Sequence, residues 1–210
     1  NPASPGRPSH EPGAAAAPSL KAAAPEKPAA PPEPKVLPFA ELPNRERFAR
    51  LVDLRVAKIV KIERHPKADK LYIETLDDGS GTERVIVSGL VPYYKEEELL
   101  GRHIVLVNNL KPAKLRGVES RGMLLAAARH TPEGVREGCD VLDAGEATPG
   151  SRVVLEGQDL ALVPAAEIDV DTFFSVPLTA RGGQATCEGA LLLADGKPFK
   201  LGLVPEGEIG

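Results

Sequence analysis

The sequence has no tryptophan, a single methionine and two cysteines, and aromatic residues make up only 4% of its 210 positions. Two cysteines, Cys139 and Cys187, cannot form a disulfide framework, so a reducing, cytoplasmic setting is expected. No apolar run approaches the ~18 residues that a membrane-spanning helix needs. No basic-then-apolar leader reads as a secretory signal. Charge of one sign is also lacking. The formal net charge of −4 makes no global case for a nucleic-acid or membrane partner. Residue 1 is Asn rather than Met, which predicts a piece of a longer protein.

Catalytic and metal chemistry is equally sparse. The four histidines, His10, His65, His103 and His130, show no i, i+4 pairing, and no C-x-x-C occurs. No zinc site is therefore encoded locally, and no cofactor is expected. Neither G-x-x-x-x-G-K-[ST] nor G-x-G-x-x-G is present, so no phosphate loop is expected either. The stretch Gly117 to Gly122 spaces its serine wrongly for a nucleophile elbow. Cys139 and Cys187 read as small buried apolar residues rather than nucleophiles. The expectation is that this chain is not itself an enzyme.

What is present is unevenly spread. Eleven of the 21 prolines and ten alanines lie within residues 1–38. Such a segment buries too little apolar surface to offset the entropy of ordering, and predicts a Pro/Ala-rich disordered linker. Residues 151–210 hold four basic and nine acidic side chains, net −5. Residues 101–129 hold Arg102, Lys111, Lys114, Arg116, Arg121 and Arg129 against Glu119, net +5. For a polyanionic partner this local bias matters more than the total. A solvated basic face is the bland alternative.

Apolar alternation predicts β structure. Residues 53–63 place Leu54, Val56, Val60 and Ile62 on one face, with Lys58 breaking it. Further strands are expected over 70–76, 82–91, 103–108 and 122–128, with a helical turn or two between Lys95 and Leu100. The last of these strands could by propensity be helix. Five short strands with one small helix between the third and fourth match an OB-fold barrel. The predicted class is all-β with one short helix. The predicted domains are the linker (1–38), the barrel (39–153) and a small β-rich C-terminal domain (154–210) packed on it. Strands are expected there at 153–155, 161–163 and 190–193, with Phe173, Phe174 and Phe199 as anchors.

The most informative stretch is 109–123, NLKPAKLRGVESRGM. Lys111, Lys114 and Arg116 fall within six residues, Pro112 stiffens the chain and Gly117 lets it turn. Cations release counterions from a phosphate backbone, and neutral groups such as Asn109 and Ser120 fix register. The sequence shows no aromatic between Tyr94 and Phe173, so base stacking at this loop is poorly supported. Reading the shape of a folded RNA fits better. For several residues a structural role is open as well: Met123 as core, Ser120 as a turn residue, Asn109 as the cap of a strand end.

Four segments also carry a resemblance: LRVAKIVKIERHPKADKLY (54–72), VSGL (87–90), NLKPAKLRGVESRGMLLAA (109–127) and PGSRV (149–153). In this order the chain resembles the tRNA-binding module at the C-terminus of bacterial methionyl-tRNA synthetases. The same module occurs in stand-alone tRNA-binding proteins and in the endothelial-monocyte-activating polypeptide II family. The resemblance implies an OB-fold that binds tRNA by shape, as a non-catalytic appendage of an aminoacyl-tRNA synthetase. Carried over by position, the implied RNA-binding residues are Asn109, Lys111, Lys114, Arg116, Ser120 and Met123. Arg121 stands where relatives often have Glu or Gln, which adds a cation. The synthetase catalytic signatures of the HIGH and KMSKS type are absent. The 57 or so residues after PGSRV resemble the longer polypeptide II architecture, where a second domain mimics a dimer partner, so both a monomer and a homodimer stay open. A protein-interaction or chaperone-like OB module is the alternative function.

Overall fold

Leu54 and Val56 turn to one side of the first strand and are fully buried, while Ala57 and Ile59 are fully buried on the other side. The computed structural model describes residues 39–210, all within one unit, Leu37–Gly210. The linker expected at 1–38 lies outside the described residues. A helix α1 (Asn44–Leu51) precedes strand β1 (Leu54–Arg64), which leads into β2 (Tyr72–Asp77) and β3 (Glu83–Ser88) as an antiparallel meander. The short helix α2 (Glu96–Leu99) follows, then β4 (His103–Val107), which returns to pair with β1. Strands β5 (Ala113–Leu115) and β6 (Val118–Ser120) form a separate two-stranded hairpin. Strand β7 (Ala126–His130) pairs with β8 (Arg136–Val141).

Hydrogen bonds close the barrel around residues 120–125. The Arg121 amide donates to the Val85 carbonyl of β3 at 2.9 Å. The Leu125 amide donates to the Val105 carbonyl of β4 at 3.0 Å, and the Val107 amide to the Met123 carbonyl at 2.8 Å. The ring therefore runs β1, β2, β3, residues 120–125, β4 and back to β1, the five-stranded OB arrangement expected. The 122–128 run is extended rather than helical, because its backbone is spent on this closure.

Strand β9 (Arg152–Leu155) pairs with β1 at one end and with β12 (Ala190–Ala194) at the other. The expected domain boundary at 153/154 falls inside it. Beyond it come helix α3 (Val170–Phe174), strands β10 (Leu178–Arg181) and β11 (Gln184–Cys187), then β12, β13 (Lys197–Pro198) and β14 (Gly207–Ile209). Strand β14 pairs with β7 of the barrel, and one apolar cluster joins Leu54, Val56 and Val105 to Phe173, Leu192 and Phe199.

Several expectations need correction. Val60 is 43% exposed, and Ile62 packs with the cluster of Ile59 rather than that of Leu54, because the register of β1 against β2 shifts between Ile59 and Lys61. Such a bulge reverses which side chains point inward. Three helices, not one, occur among the described residues. The charged spacing of NRERFARL hides α1, whose Phe48, Ala49 and Leu51 are buried. Its Arg47 is buried as well, and donates to the Ser175 carbonyl and hydroxyl oxygens, both at 2.6 Å, which ties α1 to the end of α3. Residues 161–163 form a turn and irregular chain rather than a strand. Phe173 and Phe199 are buried anchors, but Phe174 is 55% exposed and packs edge-to-face with Phe173.

Candidate nucleic-acid interface

The β5–β6 register pairs Leu115 with Val118, leaving Arg116 and Gly117 as a two-residue turn. Both have positive φ, 52° and 89°, the signature of a type I′ hairpin turn. This turn matches the right-handed twist of the two strands and puts Arg116 at the tip. All residues from 111 to 117 are exposed, so Lys111, Lys114 and Arg116 stand in water on one projecting ribbon. Arg121 is also exposed, and pairs with Glu119 at 2.6 Å. That pair lies in high dielectric, so it contributes little to stability and is readily exchanged for another anion.

The two neutral candidates have their polar groups turned inward. Asn109 is buried and fully bonded. Its Oδ1 accepts from the Asp53 amide at 3.2 Å, and its Nδ2 donates to the Leu51 and Ala165 carbonyls, each at 2.8 Å. Ser120 is 4% exposed. Its Oγ accepts from the Val87 amide at 3.0 Å and donates to the Gly122 carbonyl at 3.1 Å. Met123 is half-buried and packs against the larger apolar cluster. The geometry therefore separates the seven candidates. Lys111, Lys114, Arg116 and Arg121 offer charge to solvent, while Asn109 and Ser120 shape the backbone that carries them.

The loop is held at both ends. The Lys111 amide donates to the Ile168 carbonyl and the Ile168 amide to the Asn109 carbonyl, both at 2.8 Å, so residues beyond the barrel clamp the start of the loop. Gly122 closes the other end at φ 137°, where an added Cβ would lie 2.7 Å from Leu106 Cδ1.

Sequence spacing did not reveal the cations at the end of β1 and just after it. Arg64, Lys67 and Lys70 are exposed, and the turn they flank is joined to the hairpin through His65, whose Nε2 lies 3.1 Å from the Leu115 carbonyl. Only the fold brings these two segments together.

A cleft of about 390 Å³ beside the hairpin is lined by Asp78, Glu83, Arg84, Asn108, Arg121 and Glu167, among others. Three carboxylates outnumber two guanidiniums there, which disfavours phosphate. Arg84 is moreover engaged, with Asp78 Oδ2 at 2.9 Å and the Asn108 carbonyl at 3.0 Å. Burial alone would raise the Asp78 carboxyl, but hydrogen bonds from Ser80 and Arg84 outweigh it and hold the pKa below its ordinary value. The cleft is thus poor in free cations, whereas the ribbon exposes Lys111, Lys114 and Arg116. Burial pushes the thiol pKa of Cys139 up and that of Cys187 up to about 11, so neither is poised as a nucleophile. No group of three acidic, His or Cys side chains fit to hold a metal occurs among the described residues. None of the helices among them is long and apolar enough to cross a membrane.

Residues 54–151 match the family described as "Putative tRNA binding domain". The chain is 48% identical to a methionine–tRNA ligase of Treponema denticola over 183 residues, which cover 82% of this chain and 23% of that protein. It is 49% identical to a cytoplasmic tyrosine–tRNA ligase of Xenopus laevis over 111 residues, 52% of this chain and 20% of that protein. The chain thus spans only about a fifth of the length of these curated relatives. Among solved structures, the C-terminal domain of Plasmodium vivax p43 superposes with a TM-score of 0.70 at 26% identity, covering 78% of this chain and 98% of that one. That superposition takes in strands beyond the matched family segment. The closed barrel, its projecting basic hairpin and these matches lead to one conclusion: residues 54–151 belong to the family of tRNA-binding domains, shared with the methionine–tRNA ligases.

Proposed function

We propose that the chain binds tRNA through the β5–β6 ribbon. Lys111, Lys114, Arg116 and Arg121 would contact the phosphate backbone, with Lys67 on the turn that His65 joins to the ribbon. The observation that carries this is the exposure of Lys111, Lys114 and Arg116 on a hairpin with one end pinned to Ile168 and the other to Val85 of β3. Pinned cations lose little entropy on meeting a polyanion, and counterion release drives the contact. A rigid ribbon without an aromatic platform reads the shape of a folded RNA rather than its bases. In the cytoplasm the module would act as an appendage of an aminoacyl-tRNA synthetase, in particular a methionyl-tRNA synthetase. By keeping tRNA near the tethered enzyme it would raise the effective concentration of substrate there.

The test is a salt titration of binding to two unrelated purified tRNAs, with a duplex RNA of equal length as control. Similar affinity for both tRNAs, weaker duplex binding and a log–log salt slope of about −3 to −5 are expected. Absence of tRNA binding at low salt would overturn this reading and favour a protein-interaction module.

A further inference from the structure

His65 is 4% exposed and sits where β1 ends. Its Nδ1 accepts a hydrogen bond from the Lys67 amide at 3.0 Å. An accepting Nδ1 leaves the ring proton on Nε2, and Nε2 lies 3.1 Å from the Leu115 carbonyl. Leu115 is the last residue of β5, directly before Arg116 and Gly117 at the hairpin tip. The base of the hairpin has other anchors: Ser120 and Arg121 bond to Val87 and Val85 of β3, and Lys111 bonds to Ile168. A ribbon anchored at its base alone would swing about that base. The imidazole holds it next to the tip.

We propose that His65 is a positioning residue for RNA recognition. One ring sets two cationic segments side by side, fixing the Pro66–Lys67 turn through Nδ1 and the Leu115–Arg116 tip through Nε2. The inference rests on the ribbon being the RNA contact. It adds that the placement of the Leu115–Arg116 tip, and hence its fit to phosphates, depends on the Nε2 bond of a side chain that need not touch RNA.

Two variants separate the two bonds. In His65→Asn, the side-chain oxygen can still accept from the amide two residues on, as Asx turns do, but it is too short to reach Leu115. In His65→Gln, the amide nitrogen occupies the place of Nε2 and still reaches Leu115, while the bond to Lys67 is lost. The readouts are hydrogen exchange of the 113–120 amides, tRNA affinity with its salt slope, and thermal unfolding of each full-length variant. A single hydrogen bond corresponds to roughly a 2- to 10-fold effect. His65→Asn is expected to speed exchange across the hairpin and weaken tRNA binding by about that factor, with a shallower salt slope. His65→Gln is expected to stay within about 2-fold of the wild type in both, whatever its melting temperature. Equal losses in the two variants, or an Asn variant with wild-type exchange, would overturn the proposal. Exchange is read without RNA. A wild type that binds no tRNA would thus sink the RNA reading, while the exchange data would still judge the tether.

Discussion

Asn109 donates to the carbonyl of Ala165 at 2.8 Å, and so joins the root of the basic loop to the chain that follows the barrel. The same amide donates to Leu51 and accepts from the Asp53 amide, so one side chain organises the end of α1, the start of β1 and the extension. Asn109→Ala would leave a buried N–H and two carbonyls without this partner. A loss of about 2–4 kcal/mol in urea unfolding is expected, since each buried unmet group costs about 1–3 kcal/mol. Unchanged stability would show that water replaces the amide.

Arg116 sets stability against binding. An L-residue in the left-handed region costs roughly 1 kcal/mol relative to glycine. Arg116→Gly should therefore raise thermal stability slightly while lowering tRNA affinity and reducing the salt slope by about one contact. Calorimetry and a filter-binding titration on the same preparation would check the opposite signs. Parallel changes would contradict the placement of Arg116 at the tip.

Glu74 is fully buried in β2, among Tyr72, Leu76 and Ile86. Ser88 donates to its Oε1, and Oε2 has no partner among the described residues. Burial pushes its pKa up to about 8. The folded chain then holds a proton that the unfolded chain releases above its ordinary value of 4.5. Its contribution to stability is complete below that value and falls as pH rises to about 8. By pH 7 the loss is on the order of 3 kcal/mol. Denaturant midpoints across this range should decline for the wild type and flatten for Glu74→Gln. A flat wild-type profile would refute it.

Gly122 lies where the chain presses against Leu106. Gly122→Ala would force a Cβ to within 2.7 Å of Leu106 Cδ1, at a φ that alanine avoids. The expected cost is about 2 kcal/mol or more, seen as a lower melting temperature. Exchange at residues 120–125 should rise with it. Wild-type melting would mean that Leu106 yields freely.

The strand alternation and the local density of cations over 109–123 were legible because both depend on near neighbours. A period of two marks the start of β1 and the whole of β2, a short apolar run marks β4, and Gly117 allows a turn by residue type alone. The element order of the barrel followed. Short elements whose signal is weak were not legible. In α1 a buried Arg47 finds its partner only at Ser175. The bulge in β1 depends on pairing with β2 rather than on β1 itself.

The candidate site divides the same way. Sequence by itself determined the charge of the ribbon, the absence of metal and thiol motifs, and the all-β class. Tertiary structure alone decided which polar residues face water. Asn109 and Ser120 look like ligand-binding groups in the chain, yet long-range hydrogen bonds to Leu51, Ala165 and Val87 consume them. It also brought the backbones of Lys67 and of Leu115, the residue before Arg116, to one ring, that of His65. The physical reason is that a buried polar group must be satisfied by whatever the fold places next to it, and that neighbour is fixed by chain closure rather than by sequence distance.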